Sequence, residues 1–180
     1  MLGKNLLVLT IGIGLGILVA GRTYVVDAQG VVKQPVDVPA EIAGLKNKEA
    51  DQAHAMVDVA YHFGNLWFAG QKKNWPLAEF YLGETKSHLR WAVRIKPLRQ
   101  DAEKREIKLT DILTSLENAP LKDLQSAIGA KDSDRFEKTY RAMLDGCYAC
   151  HKASAKAMLH PTIPSRPPEA MMQFEPEETK

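Results

Sequence analysis

Cys147-Tyr148-Ala149-Cys150-His151 is the stretch on which the reading of this chain turns. It uses both cysteines of the protein, spaced three apart, with a histidine directly after the second. C-x-x-C-H is the attachment signature of c-type haem. The spacing has a chemical reason: two thiols one helical turn apart can add to the two vinyl groups of one porphyrin. The adjacent imidazole is then brought under the iron as proximal ligand. The expected cofactor is therefore one covalently attached haem c, with Cys147 and Cys150 as its thioether anchors and His151 as proximal axial ligand. A redox-active C-x-x-C pair belongs at a strand-to-helix turn near the start of a βαβ unit, and no such unit is legible here. A structural zinc site needs about four ligands, and no second cysteine pair or closely spaced histidine pair exists to supply them.

Upstream of the motif the chain reads as helices. The last one begins around Ser133 or Asp134, with Glu137 placed to complete a capping box from Asp134. It carries Phe136, Tyr140, Met143, Cys147, Cys150 and Ser154 on one face, so the motif lies on its inner side. A third helical region, about Leu109 to Ile128, presents Ile112, Leu113, Leu116, Leu121, Leu124 and Ile128, and Pro120 predicts a kink or two short helices. A second opens with Asn74 as N-cap and Pro76 in its first turn, and must stop before Pro97. Its stripe is Leu77, Tyr81, Glu84, His88, Trp91 and Ile95. The first runs from about Asn47 to Ala69 with Met56, Ala60, Phe63 and Trp67 at helical spacing, and Gly70 stands where a left-handed C-cap is expected. No internal repeat or strand run competes.

The ends read differently. Lys4 precedes an apolar run from Leu6 to Ala20, about the length of a signal-peptide core and short of the roughly 20 residues that span a bilayer. Residues 1–28 are expected to be a signal peptide, with cleavage after Val26-Asp27-Ala28 or after Leu18-Val19-Ala20; an uncleaved membrane anchor is the alternative. Either way the body belongs outside the cytoplasm, in the periplasm. Residues 29–46, with Pro35, Pro39 and Gly44, read as an irregular arm. Residues 47–160 form the haem domain, and 161–180, with Pro161, Pro164, Pro167, Pro168 and Pro176, a surface-hugging or mobile tail. The 180 residues are 45% hydrophobic and 26% charged with net charge +2, which gives neither the basic excess of a nucleic-acid binder nor the signature of disorder.

Four amphipathic helices with the motif on the last resemble a class II c-type cytochrome, of the cytochrome c-prime family. The run Ala130-Lys131-Asp132-Ser133-Asp134-Arg135, leading through Leu144-Asp145-Gly146 to Cys147, is similar in pattern and length to that family's final helix. Met56-Val57-Asp58-Val59-Ala60-Tyr61-His62-Phe63-Gly64 ends in a His-Phe-Gly found in some members. The segment from Asn74 to Pro97 matches little. The resemblance implies an all-α antiparallel four-helix bundle around the haem, with an irregular N-terminal arm and a proline-rich tail. It places Met56 over the open face of the iron, as in low-spin members with a methionine sixth ligand. That geometry suits a periplasmic monohaem electron carrier with redox partner proteins, not an enzyme. Two alternatives stay open: a five-coordinate haem that binds or senses nitric oxide or carbon monoxide, and a haem subunit docked on a larger redox complex. Homodimers through helices one and two are common in the family.

Several residues carry two readings. Met56 serves equally as sixth ligand or as core gap-filler. His54 is rotated away from the Met56 stripe and His62 lies at its margin, and each reads first as an ordinary surface or half-buried histidine. His160 follows the haem helix too closely to reach the opposite face, and Met171 or Met172 would reach only if the tail wraps around. Glu84 and His88, one turn apart, are either a surface pair or, if buried, a potential-tuning or proton-relay pair. Arg90 and Arg94 are candidates for the haem propionates, against a solvated face. Ala155 departs from the family, where a basic residue stands near this position.

Overall fold

The computed structural model describes residues 17–19, 22–26, 32–33, 37–46 and 51–177. The chain divides into two compact units, Met1–Glu49 and Ala50–Lys180. In the first, β1 (Ile17–Val19), β2 (Arg22–Val26) and β3 (Val32–Lys33) form a small antiparallel sheet in the order β1-β2-β3. The strands fall where β-branched and aromatic residues cluster, as in Tyr24-Val25-Val26. Most of the expected leader core, Leu6 to Gly16, and the expected cleavage site at Ala28 lie outside the described residues. Helix α1 (Val38–Lys46) occupies the second half of the stretch expected to be irregular. Pro39 sits in its first turn, where no intrahelical N–H is needed, and Asp37 caps it by accepting the Ala40 N–H at 3.1 Å. Among the described residues no helix is long and apolar enough to cross a membrane.

The second unit is helical apart from one short hairpin and the irregular tail that follows its last helix. Helix α2 (Gln52–Gln71) starts five residues later than the periodicity predicts, because Asp51 supplies the capping oxygen, accepting the His54 N–H at 3.0 Å. Its far end corrects the reading of Gly70. The left-handed residue is Lys73 (φ 58°), and the Asn74 N–H bonds to the Ala69 carbonyl while the Lys73 N–H bonds to the Gly70 carbonyl. This is the Schellman pattern, closed by lysine rather than glycine. Gly70 is helical and small for another reason: a Cβ there would lie 2.1 Å from Cζ of the fully buried Phe136.

Asn74 then caps α3 (Trp75–Ile95) through Leu77, Pro76 lies in the first turn, and the helix ends ahead of Pro97 as expected. β4 (Leu98–Gln100) and β5 (Glu106–Lys108) form an antiparallel hairpin whose turn is closed by Asp101 accepting from the Arg105 N–H at 2.8 Å. At Pro120 the third helical region breaks into α4 (Leu109–Asn118) and α5 (Pro120–Gly129), with Ala119 at φ −125°, ψ −87°. The proline ring excludes its predecessor from the helical region. Helix α6 (Ser133–Ala153) is capped by Asp132, not Asp134, and Glu137 pairs with Arg141 at 2.6 Å instead of completing a box. Its entry repeats the α2–α3 corner: Lys131 (φ 56°) closes a second Schellman turn and an Asx residue, Asp132, caps the next helix.

The core is where α2, α3, α5 and α6 meet. Leu66, Tyr81, Leu121, Leu124, Phe136, Tyr140 and Met143 are its largest fully enclosed apolar side chains. The buried faces of α2 and α3 are turned slightly from the expected stripes. Val59 rather than Ala60 is buried on α2, and Leu82, Leu89 and Ala92 lie deeper on α3 than Glu84, His88 and Trp91. The proline-rich tail runs along α2: Pro168 fits against Gly64, the Glu169 N–H bonds to Asn65 Oδ1 at 3.1 Å, and Phe174 is buried between Phe68 and Tyr81.

Candidate functional site

The last two turns of α6 carry Cys147, Cys150 and His151, all half-buried. Both cysteines are free thiols, and Cys147 packs against the core. Burial, and then the neighbouring Cys150, push the Cys147 thiol up to about 12. Burial raises Cys150 as well, opposed by a hydrogen bond with Ser154. The pair sits at a helix C-terminus, where the dipole also disfavours thiolate. A redox-active C-x-x-C needs the opposite, a depressed thiol at a helix N-terminus. The two sulfurs are therefore neutral at neutral pH.

The chain beyond α6 positions His151. Ser154 ends the helix and Ala155 turns left-handed (φ 54°), with the Lys156 N–H bonded to the His151 carbonyl at 2.8 Å and the Ala155 N–H to the Lys152 carbonyl at 3.2 Å. The turn folds the chain back so that the Leu159 carbonyl meets His151 Nδ1 at 2.5 Å. A carbonyl only accepts, so Nδ1 carries the proton and Nε2 keeps its lone pair. Ala155 is the residue that makes this turn. His160 stacks on Tyr148 with ring centres 3.8 Å apart, on the same side as the motif.

The level of Met56 follows from the packing of α2 on α6. Phe63 and Tyr140 stack at 4.2 Å with rings 3° from parallel, and the Tyr140 hydroxyl donates to the Phe63 carbonyl at 2.9 Å. Gly70 meets Phe136 further along, so the two helices run antiparallel. Met56 and Cys147 each lie seven residues from the Phe63–Tyr140 contact, about two turns in the same direction along the pair. Met56 is thus level with Cys147, half-buried and packed against the core.

At this end of the unit a cleft of about 490 Å³ is lined by Lys96, Leu98, Arg99 and Gln100, by Glu106 and by Ser154, Ala155 and Lys156. Arg99 Nε donates to Gln52 Oε1 at 2.8 Å, and Gln52 Nε2 donates to the Ala92 carbonyl at 2.8 Å. The hairpin, which sequence periodicity missed, thereby ties the start of α2 to the end of α3 and lines the same cleft as the end of α6. The cleft carries three cations, Lys96, Arg99 and Lys156, against one carboxylate, Glu106. Arg90, by contrast, is paired with Glu117 at 2.7 Å, and Arg94 points to solvent.

His54 is largely exposed beside Asp51, and Met171 is 93% exposed, with the tail docked along the half of α2 beyond Tyr61. His62 faces α3, its ring centre 4.7 Å from that of His88. Glu84 and His88 are half-buried at the margin of α3, but they do not stand alone: His62 joins them in one cluster, with Asp58 beside it. The sequence carries a sign of it, a carboxylate and an imidazole four apart on each of two consecutive helices.

Comparison with protein-family models, with curated proteins and with solved structures finds no match to this chain.

Proposed function

We propose that α2, α3, the broken helix α4–α5 and α6 form a four-helix bundle holding one covalent haem c, and that the protein is an exported, periplasmic electron carrier. The observation that carries this reading is the state of His151: directly after two neutral thiols one turn apart, an imidazole is held by Leu159 with Nε2 free. A metal-ligating histidine is commonly oriented in this way, by a hydrogen bond from its other ring nitrogen to a carbonyl. Cys147 and Cys150 would hold the porphyrin through thioethers, His151 Nε2 would ligate the iron, and Met56, level with Cys147, would ligate it from the other side. When bound, the haem supplies a one-electron couple whose potential depends on its axial ligands and burial. A thioether opposite an imidazole favours the reduced iron, and the Leu159 carbonyl raises the basicity of His151 in the other direction. Lys96, Arg99 and Lys156 give the cleft the charge to hold carboxylates, and replace Arg90 and Arg94 in that role.

An optical spectrum of the reduced protein tests the ligand set. A sharp low-spin α-band in the natural chain, converted in Met56→Ala to a broad high-spin spectrum that shifts with carbon monoxide, is the expected result. A high-spin spectrum that responds to carbon monoxide in the natural chain would remove Met56 and favour gas binding.

A further inference from the structure

Two consecutive helices each carry a carboxylate and an imidazole one turn apart: Asp58 and His62 on α2, Glu84 and His88 on α3. Residues at this spacing share a helical face, and the packing of α2 on α3 brings the two faces together. His62, Glu84 and His88 each place a donor atom within 4.8 Å of the other two. Asp58 Oδ2 lies 3.8 Å from His88 Nε2.

The hydrogen bonding leaves donors free. His88 Nδ1 is 2.9 Å from the Glu84 carbonyl oxygen and donates to it, which makes Nε2 the ring nitrogen open to a metal. His62 Nδ1 is buried and has no hydrogen-bond partner among the described residues. A buried polar atom left in this way costs on the order of 1–3 kcal/mol, a cost that a bound ion would relieve. Burial, and next the adjacent His88, hold His62 below the usual imidazole range and so in the neutral form that metals require.

We propose that His62, Glu84 and His88, with Asp58 beside His88, bind a divalent transition-metal ion of zinc type across α2 and α3. Two imidazoles with carboxylate oxygens are a donor set suited to zinc and its neighbours rather than to calcium or magnesium. Donors around a tetrahedral zinc stand about 3.3 Å apart, given bonds of about 2.0–2.1 Å. Closing from 4.8 Å therefore takes side-chain shifts of about an ångström. Side-chain exposures of 22% for His88, 39% for Glu84 and 46% for Asp58 allow that movement and give the ion an entry. The site does not depend on the haem reading, because it uses none of the residues at the end of α6. Its effect is to clasp α2 to α3, stabilising the fold in proportion to the logarithm of metal concentration over Kd.

The test is titration of Zn²⁺ into the full-length protein after chelator treatment, by calorimetry, with thermal melting and zinc-edge X-ray absorption on the one-to-one mixture. We expect one ion per chain with Kd in the micromolar range or tighter, imidazole scattering at about 2.0 Å, and a melting temperature that rises with zinc. His62→Gln and His88→Gln should each weaken binding at least tenfold and abolish the rise. Glu84→Gln, at a half-exposed position where folding is not at stake, should weaken it as well and keeps the test valid if His62→Gln fails to fold. Absence of saturable binding to the natural chain, or affinity unchanged in His88→Gln and Glu84→Gln, would overturn the assignment.

Discussion

His151 Nδ1 and the Leu159 carbonyl oxygen stand 2.5 Å apart, eight residues distant in sequence, and the chain between them reverses through Ala155 at φ 54°. Non-glycine residues in this region cost roughly 1 kcal/mol, so the turn trades local strain for the orientation of one imidazole. Ala155→Gly should remove the strain and raise stability by about 0.5–1 kcal/mol in urea unfolding, with the histidine environment unchanged. Ala155→Pro, whose ring forbids positive φ, should release Leu159 from His151. In the haem-bearing protein it should shift the reduction potential, where Ala155→Gly does not.

Gly70 and Phe136 form a second dependence between distant positions. Alanine at 70 gains about 1 kcal/mol in helix propensity, but its Cβ would lie 2.1 Å from the Phe136 ring, at 0% exposure. Overpacking of this kind costs about 1–3 kcal/mol, and a ring enclosed on all sides places Gly70→Ala near the upper end. A net loss of about 1–2 kcal/mol is expected in chemical unfolding. In Gly70→Ala combined with Phe136→Leu the two losses should be clearly less than additive; full additivity would show that the contact is not the cause.

The tail is held by the Tyr61 hydroxyl donating to Glu169 Oε2 at 2.5 Å and by Phe174, 6% exposed. Phe174→Ala should cost about 3 kcal/mol, or the whole docking energy of the tail if that is smaller. Protease cleavage beside the exposed Met171 should accelerate accordingly.

The same contact predicts a pH window for docking. The Tyr61 hydrogen bond holds Glu169 below its ordinary 4.5, so this contribution is present above that pH and lost as pH falls through the lowered value. Glu169 in turn raises Tyr61 from 10.0 to about 12, so the contribution is complete below pH 10 and disappears as pH rises toward 12. Cleavage at the tail should be slowest between the two limits, and Tyr61→Phe should flatten the profile.

Much of the helical plan is written in local chemistry. Asn74 with Pro76 starts α3, Pro97 bounds its end, and Pro120 breaks the third region, because capping oxygens and missing N–H groups act within one turn. Gly70 misleads for the complementary reason: a glycine near a helix end looks like a left-handed cap, and only Phe136, 66 residues on, shows that it is a point of close approach. Likewise Asp132 caps α6 although Ser133 and Asp134, both cap-forming residue types, follow it directly, and only the bond from the Arg135 N–H to Asp132 Oδ1 shows which of them is used. At the candidate site, Cys147, Cys150 and His151 are legible because one helical turn contains them. The Leu159 contact, the level of Met56 and the grouping of His62 with His88 depend on how separate segments register against one another, which spacing along one helix does not encode.

The central claim is covalent haem on this chain, and the mass of the intact protein tests it most directly. After expression with a cytochrome c maturation system and acid extraction of loose haem, the chain should carry the mass of one haem. That mass should be absent from the double variant Cys147→Ser/Cys150→Ser. A natural chain found at its bare polypeptide mass, or a haem mass that persists when both cysteines are serine, would contradict the account.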